Sequence, residues 1–88
     1  MRLILSDGAR EDYPCWQQID EKIFRRVNDL INDTKRTPFQ GIGKPEPLRG
    51  DLSGWWSRRT AREHRMVYRA SGKGEDKALE ISALRFHF

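Results

Sequence analysis

The chain contains a single cysteine, two histidines and no apolar run longer than three residues in its 88 positions. Each scarcity excludes something. Cys15 alone cannot form an intrachain disulfide, which fits a reducing, cytoplasmic setting. Cys15, His64 and His87 lack the spacing of a zinc site, so neither a metal nor a cofactor is expected. Leu3-Ile4-Leu5 is far too short for a signal peptide or a membrane span, so no membrane partner is expected. Internal repeats and low-complexity tracts are absent. With 36% apolar residues the chain can build one modest core, and residues 1–88 read as a single domain.

What the chain does have is basic charge gathered in one place. Residues 35–69 carry nine Lys or Arg and three acids, a local +6 against +4 for the whole chain. Charge concentrated in this way is an electrostatic footprint for phosphate, usually that of nucleic acid. A plain solvated surface accounts for the charge but not for its company. Gly54 to Arg69 reads as two strands reversing near Ala61 and Arg62, with five arginines and His64 set among Trp55, Trp56 and Tyr68. A buried charge without a partner is costly, so one face of this hairpin must meet water or an anion.

Period two sorts the hairpin. Ser57 and Arg59 share one parity, as do Arg65, Val67 and Arg69, whereas His64, Met66 and Tyr68 take the other and should pack under helices. Arg59 and Arg65 then stand opposite each other across the ladder, where like charges repel unless a phosphate lies between them. Trp55 and Trp56 point to opposite faces, one toward the core and one free to stack on a base.

Elsewhere the pattern gives a strand at Arg2–Leu5, then two helices. Ser6 can cap the first helix, with Asp7 and Glu11 near its N-terminus, and Pro14 should kink or break it by removing the bond to the Arg10 carbonyl. Asp20 can cap the second, with Ile19 and Phe24 placed to form a hydrophobic staple. Ile23, Phe24, Val27, Leu30 and Ile31 form one apolar stripe on it, and Pro38 marks its end. Residues 37–53 show neither period and read as a long loop stiffened by Pro38, Pro45 and Pro47, with Glu46 fixed between two prolines. A last strand covers Ala78 to Leu84, with Leu79, Ile81 and Ala83 facing the core. The order β-α-α-β-β-β predicts an α+β fold with both helices on one face of the sheet.

Glu46, the arginine pair and His87 are the parts needed for metal-free RNA cleavage. A carboxylate takes the proton of a 2′-hydroxyl, arginines stabilise the phosphorane, and an imidazolium protonates the departing 5′-oxygen. An imidazole, with a reference pKa of about 6.5, suits the acid role. A carboxylate is a weak base, so its contribution rests on geometry. Taken singly, a loop Glu is more often a salt bridge and a near-terminal His more often surface decoration.

Two runs carry a family resemblance. Thr37-Pro38-Phe39-x-Gly41-x-Gly43-Lys44-Pro45-Glu46-Pro47-Leu48 and Leu52-Ser53-Gly54-x-Trp56-Ser57-Arg58-Arg59, followed by Glu63-His64-Arg65-x-Val67-Tyr68, resemble the YoeB-type toxins of the RelE/ParE superfamily over nearly the whole chain. The resemblance implies a RelE-like fold and a type II toxin that enters the ribosomal A site and cuts mRNA there as an endoribonuclease, stopping translation. It implies a YefM/Phd-type antitoxin as partner beside the ribosome and mRNA, and members of the family are often homodimers. The family's base maps onto Glu46, its transition-state arginine onto Arg65 and its acid onto His87. Arg59, Lys44 and Arg49 match phosphate contacts, Arg49 standing where the family commonly has Lys. The family typically ends His-Tyr and this chain ends His87-Phe88, so Phe88 keeps a stacking ring but loses a hydroxyl. Two other readings follow: a ParE-like toxin acting on DNA gyrase, or a catalytically attenuated RNA- or ribosome-binding module. If the basic segment works through phosphates, RNA binding weakens steeply with added salt, and a flat salt titration is the result that contradicts it.

Overall fold

A computed structural model describes residues 1–61 and 63–85. Strand β1 (Arg2–Leu5) leads into helices α1 (Asp7–Ile19) and α2 (Glu21–Arg36). The long segment after α2 holds a two-residue strand, β2 (Glu46–Pro47), and a 3-10 turn at Gly50–Leu52. Strands β3 (Trp56–Ala61) and β4 (His64–Ser71) form the expected hairpin, and β5 (Ala78–Ala83) completes a sheet of order β1-β5-β4-β3-β2. Among the described residues β1 and β5 run parallel and the other pairs are antiparallel. Among the described residues no helix is long and apolar enough to cross a membrane.

Both helix starts follow the sequence reading. The Ser6 hydroxyl accepts from the Ala9 N–H at 3.1 Å, and the Asp20 carboxylate accepts from the Ile23 N–H at 3.1 Å, satisfying donors that have no partner within a helix. Pro14 does not break α1, contrary to expectation. Pro14 and Arg10 are both exposed, so water can reach the carbonyl that loses its partner, while buried Ala9 and Trp16 anchor the helix on either side. Ile19 remains 58% exposed, so it gains little from the staple with Phe24. Val27, Leu30 and Ile31 of α2 pack with Met66, Tyr68, Leu79 and Ile81 of the sheet, with Ile23, Phe24 and Trp56 at the margin.

An irregularity changes parity near the end of β5. Val67 pairs with Ala83 but the next residue, Tyr68, pairs with Ile81, which leaves Ser82 as an inserted residue. Ala83 is therefore carried off the core face expected for it, and Leu84 is fully buried in its place. Ser6 Oγ donates to the displaced Ser82 carbonyl at 2.7 Å. Asp12 accepts from the Leu84 N–H at 3.1 Å, and Trp16 Nε1 donates to the Leu84 carbonyl at 2.8 Å. Helix α1 thus fixes the chain three residues before His87.

The most consequential packing event is the burial of Arg58. It lies on the helix side of β3 with no exposed surface, although an arginine would be expected on the open side. Its guanidinium donates to Asp33 Oδ2 at 2.7 Å and to the carbonyls of Thr37, Gln40 and Ile42 at 2.5, 2.7 and 3.2 Å. Its Nε donates to the Tyr68 hydroxyl at 3.2 Å, which in turn donates to the Pro38 carbonyl at 2.6 Å. One side chain thereby satisfies the end of α2 and the first half of the long loop, answering the desolvation of its own charge. The glycines follow from this. At Gly41, with φ of 120°, a Cβ would collide with Asp33 Oδ2, and at Gly43 it would come within 2.8 Å of Leu30 Cδ2.

Removing Arg58 takes away the buried cation that pairs with Asp33 and one donor from each of three carbonyls, so Arg58→Met should lower unfolding free energy by about 3–5 kcal/mol in urea titrations. The hydrogen bond from Arg58, with further ones from Ile42 and Arg36, lowers the Asp33 pKa from 3.8 to about 2. A lowered carboxyl pKa stabilises the folded state above the unfolded value and loses that contribution as pH falls through the folded one. The melting-temperature gap between the native chain and Asp33→Asn should therefore hold steady above about pH 5 and shrink between about pH 4 and 2.

Candidate active site

On the opposite face of the sheet the register brings three of the predicted residues, Glu46, Arg59 and Arg65, to neighbouring strand positions. Glu46 pairs with Ser57, Ser57 with Val67, and Arg59 with Arg65. Arg65 extends diagonally along this face. Its Nη1 donates to Glu46 Oε1 at 2.8 Å and lies 3.4 Å from Ser57 Oγ. The Arg65 and Glu46 side chains are 27% and 56% exposed, above a floor formed by buried Ser57 and Val67. Arg65 is drawn toward the carboxylate and Arg59 stays exposed, which separates two cations that the ladder would otherwise hold side by side.

Glu46 is held by backbone on both sides. Arg59 N–H donates to the Gly43 carbonyl at 2.7 Å, and Leu48 N–H donates to the Trp55 carbonyl at 2.9 Å, so the loop is stitched to β3 before and after the carboxylate. Pro47 is tolerated because β2 is the outermost strand and needs pairing on one side only. Lys44, two residues upstream, adopts φ of 51°. A non-glycine residue in the left-handed region carries strain, and such residues concentrate where a structure over-determines a functional geometry.

Glu46, Arg65 and Arg59 thus form one constellation. Lys44 and Arg49 are exposed beside it, and no hydrogen bond or ion pair joins either to Glu46 among the described residues. His87 and Phe88 lie outside the described residues. His64 is buried against Trp16, ring centroids 4.7 Å apart and edge-on, in the packing role its parity predicted. Trp56 is the tryptophan that packs toward the core, where it meets Phe39 at 4.8 Å. Sequence reasoning missed Ser57 and Asp33. Ser57 carried a faint signal, since it shares a parity with Arg59; Asp33 carried none, being one acid among several on α2.

Residues 5–88 match the profile of the YoeB-like toxin of bacterial type II toxin-antitoxin systems. The chain belongs to that family. It is 50% identical to Toxin YoeB of Escherichia coli (strain K12) over 88 residues, covering the whole of both chains. Its fold superposes on a YoeB/ParE toxin from Agrobacterium tumefaciens with a TM-score of 0.96, at 50% identity and full coverage of both. From Staphylococcus aureus, the toxin of a heterotetrameric YoeB-YefM complex gives a TM-score of 0.87 at 36% identity, and a YoeB dimer gives 0.85 at 36%, each covering 100% of this chain and 98% of that one. As a YoeB-family toxin, the protein has the RelE-like α+β architecture that its element order implied.

The Glu46–Arg65 pair is built on a wet surface, and exposed ion pairs contribute little to folding. Glu46→Gln and Arg65→Gln should each change stability by less than about 1 kcal/mol in thermal melts. A large loss would mean that the pair braces the sheet.

Proposed function

We propose that the protein is a ribosome-dependent endoribonuclease that cuts mRNA in the ribosomal A site. The observation that carries this reading is the 2.8 Å contact between Arg65 and Glu46, with Arg59 directly across the ladder. A carboxylate in contact with one guanidinium, with a second across the ladder, offers the base and the charge stabilisation that phosphodiester transesterification can use, and His87 is proposed as the acid.

In the proposed reaction the scissile phosphate enters between Arg65 and Arg59 and takes over part of the Arg65 hydrogen bonding. Glu46 accepts the 2′-hydroxyl proton as the 2′-oxygen bonds to phosphorus. The arginines stabilise the charge that accumulates on the phosphorane oxygens, and the bond to the 5′-oxygen breaks as His87 delivers a proton to it. The products are a 2′,3′-cyclic phosphate and a 5′-hydroxyl. Lys44 and Arg49 bind flanking phosphates, and the Phe88 ring stacks on a base. The Arg65–Glu46 contact places both groups beside the point of entry before the phosphate arrives. A YefM/Phd-type antitoxin is the proposed protein partner, by analogy with the Staphylococcus aureus complex, and self-association by analogy with its dimer.

Primer extension on ribosome-bound message, beside the same RNA free in solution, tests the proposal. Cuts are expected in the ribosome-bound message alone, and Glu46→Ala and His87→Ala should each slow cleavage by about 100-fold or more with the fold retained by circular dichroism. Full cleavage by both variants overturns the mechanism. A large gain on Phe88→Tyr would mark the natural chain as attenuated, whereas supercoiling inhibition of purified gyrase without RNA cleavage would move the reading to a gyrase toxin.

A further inference from the structure

The face that carries Glu46 and Arg65 continues along β3 and β4 to a second cluster that the proposed chemistry does not use. Trp55 precedes β3 with the parity of Ser57, and Arg69 shares the parity of Arg65 and Val67. The Arg69 guanidinium lies over the Trp55 ring, 4.6 Å from its centroid. Glu80, its partner across the ladder, fixes it in that plane through bonds of 2.9 Å from Nε and 3.2 Å from Nη2. Nη1 has no acceptor among the described residues. Glu80 is held below the usual carboxylate range, chiefly by Arg69, so the pair stays ionised. The Arg69 side chain remains 45% exposed, so the guanidinium held over the indole is still reached by solvent.

We propose that the Trp55–Arg69 stack is a base-binding subsite of the toxin, on which a nucleotide neighbouring the scissile phosphate lays its base. The inference rests on the RNA-cleaving reading above. Three observations carry it. Bases stack readily on arginine planes as well as on aromatic rings, and an arginine already held over an indole by its Glu80 bonds needs less further ordering to offer such a plane. The stack stands two residues along the strands, about 7 Å, from Ser57 and Val67, the floor beneath the Glu46–Arg65 pair, a step suited to the next nucleotide of an extended strand. Leu48, whose N–H bonds to the Trp55 carbonyl, delivers the cationic Arg49 beside the stack, where it can meet a phosphate. An exposed ion pair and a surface stack contribute little to folding, so bracing the sheet is a weak account of the cluster. The Glu80 carboxylate neutralises Arg69, which makes the subsite a reader of base planes more than a phosphate clamp.

The test uses ribosomes programmed with a message whose sugar at the cut is 2′-deoxy, so that equilibrium binding is read without cleavage. An abasic nucleotide is walked through the A codon and its neighbours. On the intact message Arg69→Ala and Trp55→Leu should each bind about tenfold more weakly. Arg69→Lys, which keeps charge but not the plane, should lose nearly as much. At one abasic position the differences between these variants and the native chain should disappear. Losses of equal size at every abasic position, no loss on the intact message, or full rescue by Arg69→Lys overturn the subsite and leave the nuclease reading standing. Failure of the native chain to bind any programmed ribosome removes both.

Discussion

The structure depends on one buried guanidinium. Arg58 has no exposed surface, and its charge is tolerable only because Asp33, the Tyr68 hydroxyl and the carbonyls of Thr37, Gln40 and Ile42 converge on it. Those acceptors come from α2, from β4 and from a loop with no regular structure of its own. The loop is therefore folded around the arginine, and the strands are joined to the helices through it. The two glycines at 41 and 43 are consequences of that closeness, because side chains at those points would occupy the space of Asp33 and Leu30.

From this interior clamp the geometry of the outer face follows. With residues 37 to 42 held from inside and Gly43 held by the Arg59 amide, the chain reaches Glu46 with little freedom left, and pairing with Ser57 sets the carboxylate beside Arg65. Adjacent arginines of β3 then serve opposite purposes. Arg58 turns inward and is consumed by structure; Arg59 turns outward and stays exposed. The period of two that separates them is the same feature that puts hydrophobic residues under the helices.

The fold was legible in particular residues. Ser6 and Asp20 marked the helix starts because only short polar side chains reach back to bond the first free amides. The alternation of Met66, Val67, Tyr68 and Arg69 gave the facing of β4, and the Arg59–Arg65 opposition followed from the hairpin turn. Three details were not legible. Pro14 sits inside an unbroken helix because its surroundings are wet, and wetness is a tertiary property. The extra residue at Ser82 exchanged Ala83 for Leu84 in the core, since register in a sheet answers to its neighbours. The two-residue strand at Glu46 carried too short a signal to separate from the prolines around it.

The sequence by itself determined the α+β order, the capping of both helices and the basic face on which Arg59 and Arg65 stand opposite each other. Those follow from periodicity and residue type, which act locally. The tertiary structure decided which arginine is buried, how far Arg65 extends toward Glu46, and that Trp55 lies under Arg69 while Trp56 meets Phe39. Each of these depends on acceptors or rings brought from distant segments. A guanidinium is equally at home in water or among converging oxygens, and only the folded chain supplies the oxygens.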